Sequence, residues 1–365
     1  MNTPFKPEKL PLAEKLNNAN LLQLISVANR RLGKYDGLLQ GIVNPAVLLS
    51  PLTQNEAVLS SKIEGTQATL EEVLEYDAGP NKVLEGKKED IQEVQNYRKA
   101  IILAKEHISE KPITINFLLQ IHKILMDGVR GQGKNPGEFR KTQNWIGTPG
   151  CSIEAATYIP PSPLQLRDHL ENWESYLSKD DVDPILQTAI VHAQFELIHP
   201  FLDGNGRIGR LLIPLFLFSK NALSSPMFYL SEYLEKNRNE YYERLSAISR
   251  KGDWTSWIEF FLGAVTAQAN TNIEKVMAIM KLYENFKLEV PKLTHSKYAS
   301  ALVDGIFSIP VFSQALLQKK TSIPKTTLAP MIKALFDAKL LNVIREGAGR
   351  APAIYSNAQL LEIVK

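Results

Sequence analysis

The feature that most limits how this chain can fold is the return of apolar residues every three to four positions through most of its length, with little period-two alternation. Segments 21–31, 56–64, 69–76, 91–107, 115–127, 163–178, 184–198, 206–218 and 237–249 all carry it, so the spacing predicts an all-α core. Gly, Pro and Asn gather at 77–88, 128–137 and 221–226, where loops are expected. A length of 365 residues suits two or three domains. The expected partition is an N-terminal helical region over 1–112, a core with its following helices over 113–290, and a smaller module over 291–365.

Two stretches depart from the helical pattern. Within 139–161, Asn144-Trp145-Ile146-Gly147, then Pro149-Gly150, then Thr157-Tyr158-Ile159-Pro160-Pro161 suggest a β-hairpin closed by a Gly/Pro turn. Its exposed edge could accept an extended segment of another protein as an added strand, or the hairpin could be a loop excursion without a role. In the tail, a long helix from 254 to about 286 leads into short helices at 299–307, 313–320 and 327–338. Strand-like pieces at 341–345 and 353–355 then flank Gly347–Arg350, the order of a winged helix-turn-helix.

Charge and composition narrow the function classes. The net charge is +3, but residues 287–350 hold ten Lys/Arg against four Asp/Glu, so any tendency to bind nucleic acid sits in the tail. One cysteine, Cys151, and six scattered histidines give no Cys/His cluster, which argues against a structural zinc site. The longest apolar run, 211–218, is broken by Pro214 and too short for a bilayer. The first sixteen residues lack the apolar stretch of a secretory signal, so no membrane association and a cytoplasmic location are expected.

The segment richest in chemistry is Ile198-His199-Pro200-Phe201-Leu202-Asp203-Gly204-Asn205-Gly206-Arg207-Ile208-Gly209-Arg210, a polar loop between two apolar helices. Gly204 and Gly206 let the backbone bend and come close to a ligand, and the helix that follows offers unpaired N–H groups at its start, a cradle for an anion. Arg207 and Arg210, three apart in the first turns, can meet several phosphate oxygens together. Asp203 is a hard oxygen ligand suited to Mg²⁺ beside that cradle, and His199 can take a proton near neutral pH.

This segment resembles the Fic motif, His-x-Phe-x-Asp/Glu-Gly-Asn-Gly-Arg-x-x-Arg, at every defined position from His199 to Arg210. The resemblance extends over most of the chain and implies transfer of AMP from ATP to Ser, Thr or Tyr of proteins, the family's commonest activity. It implies that His199 is the catalytic base and that Asp203 holds Mg²⁺. Gly204, Asn205 and Gly206 would hold the α- and β-phosphates with help from Arg207, and Arg210 would hold the γ-phosphate. Tyr241 and Tyr242 resemble a pair lining the adenine pocket in relatives, although Tyr pairs are more often core. Glu138-Phe139-Arg140 and Thr157-Tyr158-Ile159-Pro160-Pro161 resemble the entrance and exit of the family's flap, which would register the target protein so that one side chain reaches His199. Family habit also suggests a homodimer and self-modification.

Upstream, Ser60-Ser61-Lys62-Ile63-Glu64-Gly65 matches the family's inhibitory pattern Ser/Thr-x-x-x-Glu-Gly/Asn through Ser60, Glu64 and Gly65. Glu64 would be the last residue of a helix that Gly65 ends. The resemblance implies that Glu64 pairs with Arg210, takes the γ-phosphate position and holds basal transfer low. In some relatives the same Glu also aids removal of AMP.

Gly128-Val129-Arg130-Gly131-Gln132-Gly133-Lys134-Asn135 nearly spells a P-loop, but Asn135 lacks the hydroxyl that Mg²⁺ needs and no strand precedes it. Two rivals remain at this point. One is a DNA-binding regulator that uses the core as a nucleotide sensor; against it, Pro330 should break or shorten the presumed recognition helix and few Arg residues can read bases. The other keeps the fold and transfers another nucleotide-derived group.

Overall fold

The computed structural model describes residues 3–12, 16, 19–79, 86–129, 132–148, 150–349 and 351–365. Arg130 and Gly131 of the P-loop-like segment, Pro149 of the proposed hairpin turn, Arg350, and part of the expected loop at 77–88 lie outside the described residues, as do several of the first eighteen. The chain groups into two compact units, both discontinuous: residues 1–37, 59–65 and 96–270 form one, and 38–58, 66–95 and 271–365 the other.

The first unit is helical, as the spacing predicts. At its centre is Pro184–Ile198, buried nearly all round, which is the fate of a helix apolar on every face. Its start is fixed by Asp183, whose carboxylate accepts from the N–H groups of Ile185 and Leu186, and by Pro184 in the first turn. It packs on Asn205–Ser219, Leu166–Leu177 and Arg238–Lys251, while Ile115–Leu125 adds a further helix against Asn205–Ser219. Trp173 and Trp257 are fully buried and donate their indole N–H groups to the carbonyls of Val191 and Ala189 on the central helix.

The expected hairpin is reduced to a single bridge, Ile146 with Tyr158. The Ile146 N–H donates to the Tyr158 carbonyl, and the N–H groups of Thr157 and Tyr158 both donate back to Ile146. Pairing stops there because the chain closes into a short 3₁₀ turn, Ile153–Ala155, and because Gly147 sits tight against Cys151. The edge at Ile159 is taken by the chain's own N-terminal segment: the Phe5 N–H donates to its carbonyl, and the Phe5 ring meets Tyr158.

Helix Trp254–Thr294 contributes residues up to 270 to the first unit and the remainder to the second. It runs past the expected end at 286 and takes in Pro291 in its last turn. In the second unit, helices Ala299–Ser308, Gln314–Thr321 and Lys325–Asp337 accompany strands β1 (Val311–Ser313), β2 (Asn342–Arg345) and β3 (Ile354–Ser356). The sheet is antiparallel in the order β1-β3-β2, with a bulge between Val343 and Arg345. Strand β1 and the last helix, Ala358–Val364, are absent from the pattern read in the sequence. Pro330 does not break Lys325–Asp337. It sits inside the thirteen-residue helix, and the donor it lacks is the one that would meet the Thr326 carbonyl one turn earlier.

Candidate active site

The loop between helices Pro184–Ile198 and Asn205–Ser219 carries the polar residues singled out in the sequence. His199 ends the first helix in the left-handed region, φ 49°, and Pro200 follows it, so the helix stops there and the imidazole turns out of the helical path. Gly204, φ 77°, starts the second helix, and no side chain caps it. The first-turn N–H groups therefore face the loop without a side-chain acceptor from the cap position.

Several buried side chains hold the loop in shape. Asn205 accepts from the Phe201 N–H and donates to the Phe201 carbonyl, both at 2.9 Å, so its amide closes the turn. Arg140 reaches in from the flap entrance: its backbone N–H donates to the Pro200 carbonyl, its Nε to His199 at 2.9 Å, and an Nη to Pro161 at 2.5 Å. His122 accepts from the Gly137 N–H through Nδ1, which leaves the proton on Nε2 to donate to the Asp203 carbonyl at 3.2 Å. Its ring stacks on Phe201 at 3.9 Å, and burial lowers its pKa to about 4, so it is a neutral prop.

Asp203 is exposed, and its carboxylate accepts from the Gly204 N–H and lies 3.3 Å from Arg207. A single carboxylate open to solvent fits a Mg²⁺ that takes the rest of its shell from phosphate oxygens and water. Among the described residues no group of three or more His, Cys, Asp or Glu could hold a metal ion without such help.

Arg207 and Arg210 do not reach outward together. Arg207 is buried against Asp203 and Met126. Arg210 is buried too: its Nε donates to the Ser60 hydroxyl at 2.9 Å, and its Nη2 to the Ser60 carbonyl at 2.8 Å and to Glu64 at 2.6 Å. Helix Ser50–Ile63 ends one residue before Glu64, which lies in the closing turn with Gly65 at φ 101°. Burial alone would raise the Glu64 pKa; the charge and hydrogen bond of Arg210 outweigh it and lower it. The Glu64 carboxylate rests on the first turn of Asn205–Ser219 so closely that a Cβ at Gly206 would lie 2.1 Å from it.

A cavity of about 520 Å³ opens here, and its lining includes Glu64, Glu196, His199, Gly206, Arg210 and Tyr242. Tyr241 also lines it but is buried, its hydroxyl against Nε2 of His192, while Tyr242 is 41% exposed and has Arg238 over its ring. Flap residues Ile146, Gly147, Thr157 and Tyr158 form one wall; Ile159, buried on the far side, does not line the cavity. Burial holds the His199 pKa down at about 4. Its Nδ1 is 3.3 Å from the Glu196 carbonyl.

Arg140, His122 and Glu196 were not assigned roles from the sequence. The partners of Arg140 and His122 are backbone N–H and C=O groups brought from distant segments, which no side-chain motif records. Glu196 did leave a signal: it is the one Asp, Glu, Lys or Arg in a helix that is otherwise uncharged and largely apolar.

Protein-family models match two segments: one described as Fic/DOC family N-terminal at residues 22–106, and one described as Fic/DOC family at residues 112–217, together more than half of the chain. A probable protein adenylyltransferase of Aquifex aeolicus is 28% identical over 255 residues, which is 66% of this chain and 73% of that protein. Protein adenylyltransferase Fic of Culex quinquefasciatus is 32% identical over 155 residues, 40% of this chain but only 27% of the mosquito protein. In fold, a Fic family protein of Desulfovibrio desulfuricans G20 covers 98% of both chains with a TM-score of 0.58 at 19% identity.

Proposed function

The chain belongs to the Fic/DOC family, and from that premise we propose that it transfers AMP from ATP to a Ser, Thr or Tyr hydroxyl of a protein, releasing pyrophosphate. The observation that carries this reading is the gathering, around one cavity, of a histidine, an uncapped helix start and a buried arginine beneath a flap. A pocket of about 520 Å³ is of the size that takes a small-molecule ligand.

In this reading the first-turn N–H groups at Gly206 and Arg207 receive the phosphates, and Arg210 receives the γ-phosphate. Asp203 would hold Mg²⁺, which when bound supplies positive charge to the phosphates. His199, neutral at physiological pH because its pKa is near 4, donates Nδ1–H toward the Glu196 carbonyl and keeps Nε2 free to take the proton of the incoming hydroxyl. The oxygen bonds to the α-phosphorus as the bond to pyrophosphate breaks, and positioning with charge stabilisation supplies most of the acceleration. With the Ile159 edge of the flap occupied by Phe5, a target segment would add at the Trp145–Gly147 edge, where Trp145 and Ile146 are each about 40% exposed.

Glu64 is read as a brake. Its carboxylate lies against Gly206 and binds Arg210, so it stands where an anionic ligand of both would stand. The alternative of DNA readout by the C-terminal module, read as a winged helix from its element order, is short of arginine: among the described residues after 298 the sole arginine is Arg345, paired with Glu75.

The test is incorporation of label from α-labelled ATP with Mg²⁺, scored on the protein itself and on a lysate. Glu64→Gly is expected to raise incorporation at least tenfold, and His199→Ala in the same background to abolish it. Label absent from every variant while ATP still binds would redirect the assignment to another transferred group.

A further inference from the structure

The carboxyl of Glu196 turns into the protein. Its Oε1 is closed off from solvent and has no hydrogen-bond donor. It occupies the space a side chain at Gly209 would need, 2.2 Å from the position of a Cβ there, with the His192 ring alongside. Arg210, the next residue on that helix, has the matching deficit: its Nη1 is buried without an acceptor. Two acids thus share one buried guanidinium. Glu64 takes Nη2 at 2.6 Å, and Glu196 feels the same charge. Burial first, then the charge of Glu64, push the Glu196 carboxyl up to about 8 against the pull of Arg210. One cation in a poorly solvated site needs one anion, and a second nearby anion is more stable protonated.

We propose that Glu196 is a positioning residue for Arg210: it keeps a proton while another anion occupies Arg210, and releases it to become the carboxylate partner of Arg210 when that anion leaves. The inference rests on reading the cavity as an ATP site blocked by Glu64. With Glu64 or a γ-phosphate against Arg210, Glu196 is a neutral acid; with neither, its O–H bond breaks and the proton passes to solvent. ATP arriving at a site that lacks Glu64 therefore takes up one proton, which rebuilds that O–H bond. Arg210 is never left buried without a counter-charge, so its guanidinium stays aimed during exchange of ligands.

The other groups facing this carboxyl titrate elsewhere. His192 on the same helix and His199 at its end are held near 4 by burial. On helix Arg238–Lys251, burial raises Tyr241 well above its usual value and Tyr242 to about 12. Arg210 itself stays protonated, its pKa raised further by Glu64 despite burial.

The experiment is calorimetric titration of Mg-ATP into Glu64→Gly and into Glu64→Gly/Glu196→Gln, from about pH 6 to 9, each in two buffers of different ionisation enthalpy. The same nucleotide enters both proteins, so its own titration cancels. For Glu64→Gly, the Kd should weaken toward about tenfold per pH unit in the acid half of the range, with close to one proton taken up per ATP, and both effects should level off above about pH 8. In the double variant both effects should vanish. Equal pH slopes in the two proteins overturn the inference. So does zero proton uptake by Glu64→Gly alone, a measurement that needs no change at residue 196. If neither protein binds ATP at any pH, the ATP reading itself falls and takes the inference with it.

Discussion

At the scale of single residues, Arg140 ties the loop that begins at His199 to the flap exit, by donating to the carbonyls of His199 and Pro161. Lysine cannot reproduce a fork of separate donors from one planar group. Arg140→Lys is expected to cost about 2–4 kcal/mol of stability, from two buried charge-assisted hydrogen bonds. It should lower kcat ten- to hundredfold, because a displaced imidazole no longer meets the proton of the incoming hydroxyl, and leave the Kd for ATP within about twofold. Chemical denaturation and single-turnover transfer would separate these effects; a weakened Kd with normal kcat would contradict the role. The polar loop from His199 to Arg210 was legible because its residues do their work close together in sequence. Arg140 was legible only as part of a flap entrance, because its acceptors are main-chain atoms that carry no side-chain signature. Asn205 is a mixed case: its position at the loop was plain, but its bonds to Phe201 needed coordinates.

At the scale of elements, the flap is the weakest part to read and the easiest to test. Alternating residues and a Gly/Pro turn predicted a hairpin, yet pairing amounts to the Ile146–Tyr158 bridge, and the flap is also tied down by the Tyr158 hydroxyl, which donates to the Leu197 carbonyl at 2.5 Å. That bond links the flap to the last turn before His199. Tyr158→Phe should leave ATP affinity unchanged and lower modification of a separate target more than self-modification, by about tenfold, which parallel labelling of the two would reveal. A uniform loss would place the role of the bond in the catalytic loop instead. Helix centres were easy to read where caps and periodicity agreed, as at Asp183 with Pro184 and at Thr69, whose side chain and Glu72 form a capping box. Pro330 misled because one missing donor does not outweigh the packing of an otherwise regular helix, and Lys325–Asp337 continues through it. Strand β1 was hidden by its three-residue length, too short for a period to register.

At the scale of the whole molecule, the histidines set an acid limit. His122 and His192 are buried and neutral, with burial depressing both pKa values to about 4 from the ordinary 6.5. Between these values the unfolded chain binds protons that the folded chain refuses, so the stabilisation is complete above about pH 6.5 and lost as pH falls toward 4. Each should remove about 1–3 kcal/mol across that window, and urea midpoints should fall accordingly; a flat profile would show that the rings are hydrated in the native state. Sequence alone could count histidines but not bury them. Nor could periodicity show that residues 59–65 join 96–270 in one compact unit, which puts Ser60 and Glu64 beside Arg210. Ser60 gives Arg210 two bonds that do not involve Glu64, so the arginine keeps its anchor when the acid is gone. On the proposed reading, this makes the gene prone to one kind of accident. Changing codon 64 alone yields a folded, permanently active enzyme, whereas no single change that disturbs the anchor would. In that background, random substitutions that silence the enzyme should fall mostly at His199 and in the loop, and reversion at codon 64 should be the rare class.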